Sequence, residues 1–190
     1  MSMKVSFELS DRDLGYFKQV MATVRERARE KEESEVRQAA QRLLDQTRQE
    51  TLPEFVEQHL ETLQQLIAML EDAEWALAGA DRTRVVEALA YFAEPEDLIP
   101  DRTPGLGYLD DAIMVELVAR ELRHEIAAYA DFCSYRTSRD RQLGPKQDPA
   151  TREEWLRARR RQLHARMRRR RHRMRDARSE EGGRSPFALW

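Results

Sequence analysis

The sequence predicts an all-α fold: a long N-terminal antiparallel helical hairpin, a helix–corner–helix unit packed with it, and a basic C-terminal helix. Three observations carry this. Apolar residues recur at three- and four-residue spacing along most of the 190 residues, the period of one helix face. Charged residues make up 36% and aromatic residues only 7%, which suits helices with a modest core and long solvated faces rather than a β-sandwich. Proline, glycine and aspartate crowd together at short spacings in one stretch, Ala88–Met114, between apolar runs.

At the N-terminus Val5, Phe7 and Leu9 alternate with polar residues, the pattern of a short strand or extended arm. Ser10 then reads as an N-cap with Asp13 at N3, and Leu9 and Leu14 as a hydrophobic staple. The first helix is expected from Asp11 to about Glu50. Leu14, Phe17, Met21, Val24 and Ala28 share one face, the stripe lapses over the charged run Arg25–Glu35, and it resumes at Val36, Ala40 and Leu43. Such a helix would be about 60 Å long at 1.5 Å per residue. Thr51, Pro53 and Glu54 restart the chain as a second helix. Its seam is Val56, Leu60, Leu63, Ile67, Leu70 and Leu77, broken by Glu74. The two helices make an intrachain hairpin; the rival arrangement is a coiled-coil homodimer through the same helices.

Gly79 is placed to end the second helix, and Asp81 or Thr83 to cap a third, about Arg82–Ala93, that buries Val85, Val86, Leu89 and Phe92. Pro95, Pro100 and Pro104 then forbid helix, while Gly105 and Gly107 permit backbone angles closed to other residues. Asp110 and Asp111 open a fourth helix, Leu109 to about Ser134, apolar nearly all round between Ala112 and Ala119. Gly144, Pro145 and Pro149 lie among polar residues, so 135–150 reads as a linker. Asp148 and Thr151 are candidate caps for a last helix to about Arg178, whose apolar stripe is Leu156, Leu163, Met167 and Met174. The expected units are therefore 1–80, 81–134 and 151–190, joined by that linker.

The run PEDLIPD followed by PGLGYLDDA resembles the signature of the YkvA-like family, a domain of unknown function (1232), over about residues 83–126. The resemblance implies a helix–corner–helix unit in which Pro95, Asp97, Pro100, Asp101, Pro104, Gly105, Gly107, Asp110 and Asp111 form the structural motif. It implies no activity.

Asp97, Asp101, Asp110 and Asp111 are read first as helix caps and Asx turns. The alternative is a Mg²⁺ or Ca²⁺ site in a metal-dependent enzyme, although their spacing is not that of an EF-hand. Glu121 and His124 form one E-x-x-H pair where a di-iron bundle needs two. Glu116 and Arg120 are spaced for an ion pair one turn apart. His59 flanks the second helix's seam, and Cys133 follows an apolar face. A single cysteine excludes an intrachain disulfide and a four-cysteine zinc site, and points to a reducing, cytoplasmic setting. No phosphate loop, nucleophile elbow or zinc-spaced cluster is present, so neither catalysis nor a cofactor is indicated.

The net charge of −2 hides a separation. Residues 152–178 carry 13 Arg against Glu153, Glu154 and Asp176, a local +10, so the rest of the chain sums to −12. Residues 60–131 alone hold 16 acidic and 5 basic side chains. Arginine suits bidentate phosphate contact and base stacking. The expected nucleic-acid contacts are Arg157, Arg160, Arg161, Arg168, Arg169, Arg170, Arg171, Arg173 and Arg175, with RNA or a ribonucleoprotein as the partner. The alternative is a protein–protein or autoinhibitory module whose basic helix docks on an acidic surface, this chain's own included. A thin Leu/Met stripe and the absence of a long apolar run argue against a membrane.

Overall fold

The computed structural model describes residues 8–28, 31–47, 54–93, 108–143 and 148–180. Val5 and Phe7 of the expected arm, the Thr51–Pro53 restart and the corner bearing Pro95, Asp97, Pro100, Asp101, Pro104, Gly105 and Gly107 lie outside the described residues. Among the described residues the chain is all-α. Seven helices follow one another: α1 (Asp11–Ala28), α2 (Glu33–Thr47), α3 (Glu54–Glu71), α4 (Gly79–Leu89), α5 (Leu109–Glu121), α6 (Arg123–Leu143) and α7 (Pro149–Glu180). A 3₁₀ turn, Ala90–Ala93, prolongs α4.

The start of α1 is the capping box expected. Ser10 N donates to Asp13 Oδ2 at 2.9 Å, and Asp13 N donates back to Ser10 Oγ at 3.3 Å. The single first helix is not formed: α1 stops at Ala28 and α2 starts at Glu33. The charged run has no apolar face to bury, so nothing holds a straight rod together there. Broken, each half buries its own stripe. Met21 and Val24 of α1 face α4 and its 3₁₀ turn, while Val36, Ala40, Leu43 and Leu44 of α2 pack with α3 and that turn. Lys31 Nζ fixes the corner by donating to Ala93 O at 2.7 Å.

In α3 the seam residues Val56, Leu63, Ile67 and Leu70 are buried in the common core with those of α2. The helix ends at Glu71, earlier than expected, because Asp72 Oδ1 accepts from the backbone N–H groups of Glu74 and Trp75 at 2.9 and 3.0 Å. This Asx turn carries Glu74 out of the seam and swings Trp75 and Leu77 inward, to 0% and 3% exposure. Gly79, expected to end the second helix, is instead the first residue of α4, with a positive φ of +57°. Asp81 and Thr83 do not cap. Ala78 occupies the cap position with no side-chain bond, and Thr83 Oγ1 donates back to Gly79 O.

The long fourth helix is two helices. At Leu122 the backbone leaves helical geometry (φ −93°, ψ 15°), α5 ends and α6 begins. At the head of α5 the cap position is Tyr108, left-handed at φ 64°, and Asp110 and Asp111 sit in the first turn, both buried. Helix α6 continues to Leu143, through most of the stretch expected as a linker. Asp148 then caps α7 as expected, with Oδ2 accepting from Thr151 N at 2.9 Å and from Thr151 Oγ1 at 2.8 Å.

Helix α7 runs antiparallel along α6. Arg152 reaches Asp140, Arg159 lies over Tyr135, Arg166 reaches Asp131 and Arg171 reaches Glu125, so rising numbers on one helix meet falling numbers on the other. Its Leu156, Leu163 and Met167 join the same core as Trp75 and Phe132. Met174, the fourth member of the stripe, is 40% exposed. No described helix is long and apolar enough to cross a membrane.

Because Leu163 is fully buried, Leu163→Ala should destabilise the whole chain by about 2–5 kcal/mol. Urea denaturation followed by far-UV circular dichroism measures this. A loss below about 0.5 kcal/mol, the scatter of surface substitutions, would show that α7 is not integral to the core.

Candidate nucleic-acid interface

The narrow stripe of α7 lies on the body, so the residues flanking the stripe are the ones that meet other helices. Arg168 Nη1 donates to Asp81 Oδ2 at 3.0 Å, and Arg171 Nη1 lies 2.8 Å from both Asp81 Oδ1 and Glu125 Oε1. Glu125 has no exposed surface and also faces Arg84 Nε at 3.5 Å. Arg84 in turn lies 3.7 Å from Glu121, which Arg25 Nη2 reaches at 2.5 Å. One chain of charges, Arg25–Glu121–Arg84–Glu125–Arg171–Asp81–Arg168, thus ties together α1, α5, α4, α6 and α7. Burial works against the Arg171 cation, but its bonds to Glu125 and Asp81 outweigh that and raise its pKa.

A second cluster surrounds the turn after α3. Arg136 Nη1 lies 2.8 Å from Asp72 and 2.8 Å from Glu74, Tyr129 Oη donates to Asp72 at 3.1 Å, and Arg152 bridges Glu74 and Asp140. Arg152 and then Arg136 hold the Glu74 carboxyl below its ordinary pKa despite partial burial. Burial pushes the Asp72 carboxyl up, yet the Trp75 N–H, Arg136 and Tyr129 together bring it below normal. Arg160 completes the turn by donating to Glu74 O at 3.1 Å. Inside it, Trp75 stacks on Phe132, Tyr129 and the edge of His164, whose ring centroid is 4.2 Å away. Burial, then the Arg168 cation, lowers the His164 pKa to about 4.

The nine arginines expected to contact nucleic acid therefore divide. Arg168 and Arg171 are held by Asp81 and Glu125, Arg160 by the Glu74 carbonyl, and Arg157 by Glu153 on its own helix. Arg161, Arg169, Arg170 and Arg173 are exposed and form no ion pair among the described residues, and Arg175 is exposed as well. Sequence reasoning missed Asp81, Glu125, Asp72 and Glu74 as anchors, and Arg152 and Arg166 as clamps. The signal was in the stripe itself: Arg160, His164, Arg168 and Arg171 follow one another at 4-4-3 spacing along its flank.

Arg120 Nε donates to Glu116 Oε1 at 2.6 Å, the ion pair expected, and His59 Nε2 lies 3.4 Å from Glu116 Oε2. Glu121 is turned to Arg25 and Arg84, away from any shared site with His124, whose pKa falls through burial and the adjacent Arg123. Asp110 Oδ2 accepts from Tyr91 Oη at 3.0 Å, so this carboxylate braces the 3₁₀ turn. Among the described residues no three His, Cys, Asp or Glu side chains converge as a metal-ligand group. Cys133 is half-buried and free, beside Arg136.

Residues 82–117 match the model of a family described as a protein of unknown function, DUF1232. The resemblance seen in the Pro/Gly/Asp motif holds over that segment, which spans most of α4, the 3₁₀ turn and α5 as far as Leu117. No curated protein and no solved structure matches the chain. The matched segment thus contains Arg84 and both ends of the Asp110–Tyr91 brace, while Glu125 and all of α7 lie beyond it.

Two measurements test this electrostatic frame. His164 has a folded-state pKa of about 4 against an ordinary 6.5, so the unfolded chain takes up the proton first. The stabilisation is fully present above about 6.5 and is lost as pH falls towards 4. His164→Phe should flatten the stability curve across that window; an equally steep curve would assign the loss to carboxylates. Glu125→Gln leaves Arg84 and Arg171 short of a buried counter-charge and should cost on the order of 3 kcal/mol in urea denaturation. Unchanged stability would show that the network contributes nothing.

Proposed function

We propose that this chain is a non-catalytic binding protein that holds RNA, alone or in a ribonucleoprotein, through the outward face of α7. The observation that carries the reading is the set Arg161, Arg169, Arg170 and Arg173: exposed, on one helix, and with no ion-pair partner among the described residues. Arginine confined to ion pairs gains little from a new anion, whereas an unpaired set gains both charge neutralisation and counterion release. The inward arginines serve a different end, holding the helix so that the set is presented on a rigid rod. Planar guanidinium groups suit phosphate and base contact alike, and the helix has no reading head of the helix-turn-helix kind, which favours RNA over sequence-read DNA.

A second reading has its own observation. Arg152, Arg166, Arg168 and Arg171 meet Glu74, Asp140, Asp131, Asp81 and Glu125 of the same chain, which supports an interaction module whose basic helix answers an acidic surface. The two readings separate in solution. With about four phosphates contacted, the log–log dependence of RNA affinity on salt should have a slope near −3, and changing Arg161, Arg169, Arg170 and Arg173 to Gln should flatten it without loss of helix. Fluorescence anisotropy with labelled RNA at graded salt reads both quantities. Absence of RNA binding by the intact chain at low salt would remove the RNA reading and leave the docked module.

A further inference from the structure

One basic feature is separate from the outward set. Where α6 and α7 meet, Tyr135 and Arg139 of α6 interleave with Trp155 and Arg159 of α7. The Arg139 guanidinium lies 4.9 Å from the Trp155 ring centroid and 5.6 Å from that of Tyr135, and Arg159 lies 5.2 Å from Tyr135. Arg139 Nε also donates to Tyr135 Oη at 3.3 Å, and Arg159 Nη1 to Gln162 Oε1 at 2.8 Å. All four stacked side chains are half-buried, neither enclosed nor fully in water.

The charge balance around them is uneven. Neighbouring Arg152 and Arg166 are satisfied by Glu74, Asp140 and Asp131, whereas Arg139 and Arg159 form no ion pair among the described residues. Those three carboxylates are thus already engaged, and these two cations are held by π faces. Arg159 Nε is buried without an acceptor. A nucleobase can stack on the rings and guanidinium groups of this seam, and its phosphate supplies the anion the seam lacks. The seam is also in line with two of the outward arginines, Arg169 and Arg173. Trp155, Arg166, Arg169 and Arg173 fall on one side of α7, since 18 residues make five turns, over a length of about 27 Å.

We propose that the Tyr135–Arg139–Trp155–Arg159 seam is a nucleobase-stacking site and that the nucleic acid bound along α7 is single-stranded. The inference rests on the backbone-binding reading above and adds to it a substrate class. A duplex keeps its bases stacked on one another and offers this face little but phosphate and sugar. A single strand lays its phosphates along Arg169 and Arg173 and an exposed base against Trp155 or the guanidinium stacked on it.

The test uses the intact chain, a labelled 20-nucleotide oligouridine, and a blunt RNA duplex of equal length. Trp155→Ala should weaken single-strand binding roughly 5- to 100-fold, the range for loss of one stacked base. It should leave the salt slope and duplex affinity unchanged. In a Trp190→Phe background, tryptophan emission should be quenched by oligouridine with Trp155 present and in Trp75→Phe but not in Trp155→Phe, a variant that keeps an aromatic ring and guards against misfolding of the alanine form. Unchanged oligouridine affinity in Trp155→Ala, or quenching that persists in Trp155→Phe, would overturn the stacking site while the salt slope still upheld backbone binding. If the wild-type chain binds neither RNA at low salt, the backbone reading fails and the stacking site fails with it.

Discussion

Glu125 is a carboxylate with no exposed surface, set between Arg84 of α4 and Arg171 of α7. A lone buried charge costs several kcal/mol, and here its compensation comes from residues 41 positions before it and 46 after it. The helices that carry those residues must therefore close on α6 together. The same ions extend outward through Glu121 to Arg25 and through Asp81 to Arg168, so five of the seven described helices share one chain of charges. Such a chain adds little net stability once desolvation is counted. What it supplies is register, because a slide or rotation of α7 would strand several charges at once.

Attraction between α7 and the body comes from elsewhere. Leu156, Leu163 and Met167 are at most 5% exposed, and each buried side chain of this size contributes about 1.5–3 kcal/mol. Three of them outweigh the handful of exposed ion pairs on the helix, each worth at most about 1 kcal/mol. The cavity they fill is built by an unusual turn. Asp72 ends α3 early, Trp75 turns inward, and Phe132, Tyr129 and His164 close around its ring. A thin apolar stripe suffices for α7 because the body provides the large aromatic side.

The excess of positive charge on α7 is thereby divided between two tasks. Arginines on the stripe's flank neutralise body carboxylates, and those on the far face remain in water. The segment shared with DUF1232 ends at Leu117, so the basic helix and the acidic groove that receives it belong largely to the part of the chain beyond that family. A functional reading built on α7 is consequently a reading of this chain and not of the family.

The sequence by itself determined the helical class, the capping box at Ser10 and the cap at Asp148, the buried seam of α3 and the Glu116–Arg120 pair, because each depends on residues within one or two turns. It also showed a +10 stretch at 152–178 and a −11 stretch at 60–131, but not that the two meet. Tertiary structure decided where the helices break. Leu122 carries no glycine or proline signal, yet the chain leaves helical geometry there, with Glu121 paired to Arg25 and Glu125 paired to Arg171 on either side of it. It likewise turned Asp81, a plausible cap by position, into a buried anchor, and divided the described arginines of α7 into inward and outward ones. Helical periodicity fixes which residues share a face but leaves rotation and register open. Only the simultaneous satisfaction of a core and its buried charges selects one.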